Sequence, residues 1–360
     1  MKVIFITRKY PPSVGGMQKL SHNVIHNFPE LKNAEVISWG RSQKGLIFFI
    51  PWAFLKSLYL LISKKIDLIQ FDDAALSFMG YILKKMFKVP IVIRVHGLDL
   101  TYKNKLYQFM LNKTLKEFDK IICISEAAKN IVINKGIEKS KCCIIHCGVD
   151  VSKWRLFNNR NSLINKLEKE LEVDLSDKFL LLSVGRLVER KGVHWFIKNV
   201  FRKLDKHCMF LIASSGEEER KIKELIESLN LEDKILMLGK VSDETLKLLY
   251  NSADAFIMPN IPIKGDIEGF GIVAIEAASC GLPVIASDLE GVKDAIKEGE
   301  NGFLVEPLNA KDYIKKINDL MNMKNVSDFS KKQIEYTHKN YDLKNISQEY
   351  YELFKEILKK

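Results

Sequence analysis

The strongest constraint on the fold is a repeated alternation of short apolar, β-branched runs with segments of helical length. The first series fills residues 1–146 of the 360-residue chain. Such an alternation predicts parallel strands joined by helices that cover both faces of a sheet. The predicted strands of this half are residues 3–7, 34–39, 67–71, 91–95, 120–124 and 142–146.

The pattern stops over residues 148–178, which are rich in Asn, Lys and Glu, and then begins again. The second series predicts strands at residues 179–184, 208–213, 235–238, 255–258, 283–286 and 302–305. A chain of this length has room for about two domains. We therefore expect an α/β protein with two Rossmann-like domains, residues 1–155 and 156–335, that face each other across a cleft. Ligands of such sheets bind beyond the carboxyl ends of the strands.

Charge is divided unevenly between the two halves. Residues 1–155 contain 25 Lys and Arg against 11 Asp and Glu, a net charge of +14, whereas the remainder contains 31 against 34, a net charge of −3. A basic first half is compatible with nucleic acid, an anionic membrane face or a phosphorylated substrate. Because no recognition-helix, zinc-finger or RNA-binding motif is present, we expect no nucleic-acid partner, and a basic nucleic-acid-binding protein stays the alternative from another class. Six scattered cysteines, and an apolar start too short for a secretory signal, predict a cytoplasmic protein.

Residues 45–63 form a nearly continuous apolar segment of about the length that spans a bilayer. Pro51 and Lys56 interrupt it, and its place between two strands of one sheet argues against a spanning helix. A buried core helix is the first interpretation. The second is a partly exposed helix in peripheral contact with an anionic membrane, because aromatic residues and lysines are mixed around it. The lysines are Lys64, Lys65, Lys84, Lys85 and Lys88.

Two loops with glycines follow predicted strands and precede predicted helices. In residues 10–17, Gly15 and Gly16 would let the backbone approach a ligand, and the helix start would offer free N–H groups to an anion. In residues 184–192, Arg186 can form paired hydrogen bonds to phosphate oxygens, and Lys191 can add a second positive charge. A plain turn and a solvated basic loop are the alternative interpretations.

Two glutamates, Glu268 and Glu276, stand eight residues apart around a predicted helix start. Gly269 and Gly271 between them free backbone N–H groups for a phosphate or sugar oxygen. The neighbouring residues are apolar, and a carboxylate in such a setting is costly unless it is paired. The spacing therefore favours a ligand-binding pair over two surface glutamates.

The segment from Glu268 to Glu276 resembles the Glu-x7-Glu motif of family 4 retaining glycosyltransferases, also called glycosyl transferases group 1, which have the GT-B fold. Further motifs of that family follow in the same order along most of the chain. They are PPSVGG at 11–16, HG at 96–97, GVD at 148–150, GR at 185–186 with KG at 191–192, GKVS at 239–242 and CGLPV at 280–284. The resemblance implies that a C-terminal helix, residues 336–360, crosses back to the first domain.

The resemblance also implies roles for individual residues. Arg186 and Lys191 would hold the donor diphosphate and stabilise charge on the leaving group, with Gly15 and Gly16 facing it from the first domain. Glu276 would accept hydrogen bonds from the ribose hydroxyls. The implied donor-binding set is Gly15, Gly16, Gly185, Arg186, Lys191, Val241, Glu268, Gly269, Phe270, Gly271, Ile272 and Glu276.

Three further roles concern the sugar and the base. Glu268 and the backbone of residues 269–272 would hold the donor sugar, Val241 would lie at the nucleotide base, and His96 would lie under the sugar near its anomeric carbon. The implied catalytic residues are His96, Arg186, Lys191 and Glu268.

The implied reaction transfers a hexose from a UDP-, GDP- or ADP-sugar to an acceptor with retention of configuration. Because Arg, Lys and helix-start N–H groups can stabilise the departing diphosphate, we expect no metal and no other cofactor. No Asp-x-Asp run is placed for a divalent ion, and the cysteines of residues 142–147 match no structural zinc pattern. The basic first half suggests a lipid-linked or cell-envelope glycan intermediate as acceptor, at the cytoplasmic membrane face.

Other enzymes and a non-catalytic nucleotide-sugar-binding relative are the alternatives. A phosphorylase of this fold would need a lysine for pyridoxal phosphate, and an epimerase would lack the ordered set of two cations and two glutamates. Three positions depart from the family pattern. Cys147 replaces a frequent Asn, residues 213–216 (ASSG) have few glycines, and Glu290 precedes Gly291 where a second glycine is common.

Overall fold

The computed structural model describes residues 1–13, 15–156 and 159–359. Val14, which belongs to the loop with Gly15 and Gly16, and Lys360, at the end of the expected C-terminal helix, lie outside this description, as do Phe157 and Asn158. The chain divides into two compact units. Unit 1 is Met1–Val149 with Tyr341–Lys360, and unit 2 is Asp150–Asn340.

Unit 1 is built on a parallel sheet whose order, among the described residues, is β2-β1-β3-β4-β5-β6. The strands are β1 (Val3–Thr7), β2 (Ala34–Ser38), β3 (Leu68–Phe71), β4 (Ile91–Val95), β5 (Lys120–Cys123) and β6 (Cys142–Ile144). Each lies where the sequence predicts a strand, with ends that differ by at most two residues. The apolar runs are continuous because helices cover both faces of the sheet.

Unit 2 repeats this design with the strand order β12-β11-β10-β7-β8-β9, again parallel within the described part of the chain. Its strands are β7 (Phe179–Val184), β8 (Cys208–Ala213), β9 (Ile235–Met237), β10 (Ala255–Met258), β11 (Val284–Ser287) and β12 (Phe303–Val305). The expectation of two Rossmann-like sheets is confirmed.

Helices lie between successive strands and after the last one. They are α1 (Gly16–His26), α2 (Leu46–Ser63), α3 (Ser77–Met86), α4 (Leu98–Thr101), α5 (Lys105–Thr114), α6 (Glu126–Asn134), α7 (Val151–Trp154), α8 (Arg160–Leu171), α9 (Val193–Asn199), α10 (Glu219–Ser228), α11 (Asp243–Ser252), α12 (Ile272–Ser279), α13 (Val292–Ala295), α14 (Ala310–Met321), α15 (Val326–Tyr341) and α16 (Leu343–Leu358). Short 3₁₀ turns occupy Leu31–Asn33, Gln43–Gly45, Ala74–Leu76, Leu115–Glu117, Lys139–Lys141, Glu189–Lys191 and Phe201–Lys203. Side chains cap several helix starts, as Ser125 does for α6 and Asp342 for α16.

The C-terminal helix α16 packs within unit 1. Val149 N donates to the Tyr341 carbonyl at 2.9 Å, and Leu343 N donates to the Val149 carbonyl at 3.0 Å, so the chain is tied there before α16 begins. The helix lies against α1. The ring of Phe354 is 6.3 Å from that of Phe5 on β1. One face of the sheet is thus covered by α1 and α16.

The other face of this sheet is covered by α2, α3, α5 and α6, which contribute Phe49, Leu83, Leu111 and Val132 to one core. The helix α2 is not the buried core helix that the sequence favours. Its buried side chains are confined to one stripe, Phe49, Ala53, Ser57 and Leu60. By length and composition it is the one described helix that could cross a membrane, and 22% of it is buried. Apolar composition alone did not show which side of the helix the sheet covers.

Candidate functional site

Unit 2 has a recess at the carboxyl ends of its central strands. Gly185 and Arg186 follow β7, Ser214 follows β8, and Asn260 comes two residues after β10. Lys191 also lines the recess. The Ser214 hydroxyl and the Asn260 amide oxygen are buried and have no hydrogen-bond partner among the described residues. Two cations beside orphaned buried polar atoms fit a polar, anionic ligand.

Gly192 sets the path of the loop that carries Lys191. Its φ is 66°, and a Cβ at this position would lie 1.9 Å from the Pro259 carbonyl oxygen. This close approach lets Ile261 N donate to the Arg190 carbonyl at 2.9 Å, which joins the loop after β7 to the loop after β10. The glycine is therefore required by backbone contact and by conformation.

Glu268 lies beside this recess and is buried. Its Oε2 accepts a hydrogen bond from Asn260 Nδ2 at 2.9 Å and lies 2.6 Å from Lys191 Nζ. Arg190 places its Nε 3.8 Å from the same oxygen. Burial alone raises the pKa of Glu268, but Lys191 and Arg190 outweigh it and lower that pKa below its usual value. The carboxylate is therefore ionised at neutral pH and holds the Lys191 ammonium at the recess.

The backbone of Glu268 is fixed by the segment after β11. Its N–H donates to Glu290 Oε2 at 2.6 Å, and its carbonyl accepts from Gly291 N at 3.1 Å. Burial raises the pKa of Glu290. A Cβ on Gly291 would lie 2.1 Å from the Gly269 carbonyl oxygen. Glu290 and Gly291, where the sequence departs from the family pattern, thus hold the backbone of Glu268 in place.

Glu276 lies in the second turn of α12, as its spacing predicts. The helix starts after Gly271, which has a φ of 133°. Glu276 is buried, and its Oε2 accepts a hydrogen bond from the Tyr250 hydroxyl at 3.0 Å. Burial, and then the Glu276 charge, raise the pKa of Tyr250 well above its usual value. The phenol therefore stays protonated and keeps donating to this carboxylate.

In unit 1 the loop before α1 brings two glycines to a helix start. Gly15 is the N-terminal cap residue of α1, and Gly16 is its first residue. A Cβ on Gly15 would lie 2.6 Å from Gln18 Oε1. The first N–H groups of a helix have no partner within the helix, so this loop presents donors just beyond the carboxyl end of β1.

His96 follows β4 and is buried. Its Nε2 lies 2.9 Å from the Asp72 carbonyl oxygen, which is an acceptor, so Nε2 carries the proton of the neutral ring. Burial, and then the Arg94 charge, lower the pKa of His96 to about 4. At neutral pH the ring is uncharged, and its Nδ1 retains a lone pair that can accept a hydrogen bond.

Asp99 holds the loop that carries His96. Its carboxylate accepts the His96 N–H at 2.9 Å and the Ala74 N–H at 3.0 Å. The Tyr107 hydroxyl donates to the Asp99 carbonyl at 2.5 Å. Burial, and then the Asp73 charge, raise the pKa of Asp99 to about 7. Asp99 is therefore a positioning residue for His96.

Buried ion pairs surround this loop. Asp72 Oδ2 lies 2.9 Å from an Arg94 nitrogen, and Asp73 Oδ2 lies 2.7 Å from an Arg8 nitrogen. Arg94 also donates to the hydroxyls of Ser21 on α1, at 3.0 Å, and Tyr350 on α16, at 3.2 Å. The two adjacent aspartates thus face different cations, as their alternation along an extended chain predicts.

His96 and Asp99 give the free energy of unfolding two opposite dependences on pH. The pKa of folded His96, about 4, is below its ordinary 6.5, so its stabilisation is complete above pH 6.5 and is lost as the pH falls to 4. The pKa of folded Asp99, about 7, is above its ordinary 3.8, so its stabilisation is complete below pH 3.8 and is lost as the pH rises through 7. In Asp99→Asn the pH dependence due to His96 is no longer offset by Asp99. The free energy of unfolding of this variant, measured with urea, is therefore expected to rise by about 3 kcal/mol between pH 4 and 6.5.

The exposed Asp233 provides the control for this slope. Asp233→Asn should retain the shallow pH dependence of the wild type, because the Asp233 side chain is exposed and the substitution leaves both His96 and Asp99 in place. Equal slopes for Asp99→Asn and the wild type would contradict the assignment.

The structure gathers part of the predicted set in each unit. In unit 2, Lys191 joins Glu268, and Glu276 lies one turn into the helix that begins there. Val241 follows β9, the edge strand beyond β8, and the Phe270 side chain is buried. The remaining predicted residues of this unit are Gly185 and Arg186 at the recess and Gly269, Gly271 and Ile272 at the start of α12.

The residues that hold these side chains in place were not predicted from the sequence. They are Asp99, Arg190, Tyr250, Asn260 and Glu290. Asn260 could have been found, because it follows β10 as Gly185 follows β7. Glu290 differs from the family pattern, but nothing in the sequence indicates its contact with Glu268, and the other three residues carry no local signal. No group of three or more His, Cys, Asp or Glu among the described residues is placed to hold a metal ion.

Comparison with known proteins supplies the family. The model for Glycosyltransferase Family 4 matches residues 2–153, and that for Glycosyl transferases group 1 matches residues 166–340. The chain is 30% identical over 281 residues to the capsular polysaccharide biosynthesis glycosyltransferase CapM of Staphylococcus aureus, across 74% of this chain and 70% of CapM. It is 26% identical over 324 residues to the N,N'-diacetylbacillosaminyl-diphospho-undecaprenol alpha-1,3-N-acetylgalactosaminyltransferase of Campylobacter jejuni, across 86% of this chain and 83% of that protein.

A solved structure agrees on the fold. The chain is similar to HepE of Anabaena, crystallised in complex with UDP, with a TM-score of 0.82 and 19% identity over 99% of this chain and 100% of that one. Both family models and the paired parallel sheets lead to the same assignment. The chain belongs to glycosyltransferase family 4 and has the GT-B fold.

Proposed function

We propose that the protein transfers a hexose from a nucleotide-diphosphate sugar to a glycan or lipid-linked acceptor, with retention of configuration and without a metal. The observation that carries this proposal is the recess of unit 2. There Arg186 and Lys191 meet the orphaned polar atoms of Ser214 and Asn260, beside the ionised Glu268. This set suits a ligand with a charged diphosphate and a polyhydroxylated sugar.

Arg186 and Lys191 supply the charge stabilisation in this proposal. Cleavage of the bond between the sugar and phosphate develops negative charge on the diphosphate. Preorganised cations and N–H groups that meet that charge lower the barrier. Glu268, held by Asn260, aims the Lys191 ammonium and can accept a hydrogen bond from a sugar hydroxyl. These two cations would do what a divalent ion does in other transferases.

The proposed bond changes give retention of configuration. A new bond forms between the acceptor oxygen and the anomeric carbon, on the face from which the diphosphate departs. The acceptor proton passes to an oxygen of that diphosphate. His96, proposed to lie near the anomeric carbon, is neutral and offers its Nδ1 lone pair to a sugar hydroxyl.

Glu276 is proposed to accept hydrogen bonds from the ribose hydroxyls. Tyr250 holds this carboxylate, so Tyr250→Phe is expected to weaken nucleotide binding about tenfold and to lower the free energy of unfolding by about 1 kcal/mol. Isothermal titration calorimetry with the nucleotide measures the first effect, and urea unfolding the second. The matched control is Tyr59→Phe, an exposed tyrosine of unit 1. Unchanged affinity in Tyr250→Phe would argue against the ribose role.

The acceptor proposal rests on the relatives. One is named for an acceptor carried on diphospho-undecaprenol, and another for capsular polysaccharide biosynthesis. The basic unit 1 supports a lipid-linked intermediate at the cytoplasmic membrane face. A non-catalytic nucleotide-sugar binder is the competing outcome.

The first experiment is a thermal-shift screen with UDP, GDP, ADP, CDP and their common sugar conjugates. A ligand at about 100 times its dissociation constant stabilises the fold by about 2.7 kcal/mol, which raises Tm by several degrees. We expect one nucleotide to stand out. No shift with any of them would contradict the donor proposal.

The second experiment measures sugar transfer from the identified donor to an acceptor that carries a diphospholipid. Transfer should continue in excess EDTA, and NMR coupling of the new anomeric proton should match that of the donor. Loss of activity in EDTA would refute metal independence, and the opposite anomer would refute retention. Binding without transfer or donor hydrolysis would favour the non-catalytic alternative.

A further inference from the structure

The outer side of α2 carries a stripe of large apolar residues. Phe48, Trp52, Leu55, Tyr59 and Ile62 are exposed by 48–77%. They recur every three or four residues, so they form one continuous line along the helix. We call these residues the outer stripe.

The opposite side of α2 is the stripe already packed on the sheet of unit 1, which includes Phe49, Ala53 and Leu60. The helix is therefore apolar on two opposite sides. A surface helix of a soluble domain needs one apolar side, directed toward its core. The inner side is accounted for by the fold, and the outer stripe requires a second apolar environment.

Neighbouring helices extend this surface. Phe78 and Met86 of α3 are exposed by 47% and 54%, and Leu106 and Phe109 of α5 by 67% and 57%. The helix α2 contacts α3, which contacts α5, and all three cover the same face of the sheet. So large an exposed apolar area marks an interaction surface.

The charge of this surface is predominantly positive, although Glu117 and Asp119 after α5 pair with Lys85 and Lys84. Residues 36–66, 74–98 and 100–116 contain no Asp or Glu, and together they contain 13 Lys and Arg. Each of the helices α2, α3 and α5 also sets a lysine over an aromatic ring one turn earlier. The pairs are Lys56 over Trp52 at 5.1 Å, Lys85 over Tyr81 at 5.6 Å and Lys113 over Phe109 at 4.3 Å.

This combination identifies the partner. Aromatic rings with lysines beside them suit the boundary of a bilayer, where the ring enters the apolar layer and the ammonium meets phosphate. A second copy of the same surface would bring like charges together. An anionic bilayer satisfies both the apolar stripe and the positive charge.

We propose that unit 1 docks on an anionic membrane through α2, α3 and α5, with α2 lying in the plane of the interface. The helix does not span the bilayer, because its inner stripe stays packed on the sheet. The inference rests on the proposed function in one respect: it names the membrane that presents the lipid-linked acceptor.

Vesicle co-sedimentation tests the proposal on the full-length protein. We expect binding to phosphatidylcholine vesicles that contain phosphatidylglycerol, and weaker binding as salt rises. The outer-stripe variant, Phe48→Gln, Leu55→Gln, Tyr59→Gln and Ile62→Gln together, should bind at least about 100-fold more weakly. Lys56→Gln, Lys85→Gln and Lys113→Gln together should lower binding to the anionic vesicles about 100-fold.

Leu308→Gln with Lys331→Gln, both exposed in unit 2, is the matched control and should bind like the wild type. The outer-stripe variant should unfold in urea at the wild-type midpoint or higher, and it should retain the nucleotide-induced thermal shift, because its residues lie outside the donor site. Those results separate membrane docking from folding and from catalysis.

Three results would overturn the proposal. The first is that the wild type does not bind anionic vesicles. If the nucleotide-induced thermal shift is normal in that case, the proposed function is unaffected. The second is resistance to alkaline carbonate extraction, which indicates a spanning helix. The third is a dimer in sedimentation equilibrium that the outer-stripe substitutions dissociate without any change in vesicle binding. Vesicle binding without any nucleotide shift would support docking and count against the proposed function.

Discussion

Replacing Lys191 with alanine is expected to lower the kcat of sugar transfer about 10²–10³-fold, the usual cost of removing one preorganised donor from a developing anion. The ammonium is held 2.6 Å from Glu268 at the edge of the recess, so its position is set before a ligand arrives. In the proposed reaction it meets the diphosphate as the sugar leaves. Steady-state kinetics at saturating donor measure this effect.

Lys198→Ala is the matched control, since Lys198 is an exposed lysine of α9 seven residues away. It should keep wild-type kcat and stability. Lys191→Ala also leaves the buried Glu268 with Arg190 at 3.8 Å, so the free energy of unfolding should fall. Adding Glu268→Gln to Lys191→Ala should recover stability but not kcat. Near-normal turnover in Lys191→Ala would exclude Lys191 from the chemistry.

The parallel sheets that position this site can be predicted from the sequence, and the reason is physical. Strands buried on both faces are mostly apolar, so β4 (IVIRV) and β7 (FLLLSV) stand out as short apolar runs. The residues directly after them, His96 and the Gly185-Arg186 pair, then fall at the carboxyl edge by topology alone.

The partners of the site residues could not be predicted in the same way. Glu268 meets Lys191 because Gly192 lets one loop touch the carbonyl of Pro259 in another, and a contact between loops 67 residues apart leaves no periodic pattern. Glu290 accepts a hydrogen bond from the backbone N–H of Glu268, which any residue except proline could donate at position 268. The resemblance supplied the identities of the charged residues, and the structure supplied their geometry.

Arg94→Met is expected to lower the free energy of unfolding by about 3–5 kcal/mol, because it leaves Asp72 buried without its cation. Arg94 is fully buried, and its guanidinium joins the segment after β3 to α1 and α16 through Asp72, Ser21 and Tyr350. Urea unfolding measures the loss. Lys331→Met removes the cation of the exposed pair with Asp328 and should change stability by less than about 0.5 kcal/mol.

A double-mutant cycle shows whether the loss comes from the stranded carboxylate or from lost packing. Adding Asp72→Asn to Arg94→Met removes the buried charge and keeps the Asp72 main-chain carbonyl that accepts the His96 proton. If the charge is the cause, the double variant regains most of the stability, with a coupling energy of about 2–3 kcal/mol. If packing is the cause, the two losses add. Recovery would mean that each buried charge is tolerated chiefly because its partner is present. The ion pair would then couple the stability of α16 to that of β4, the strand that leads to His96.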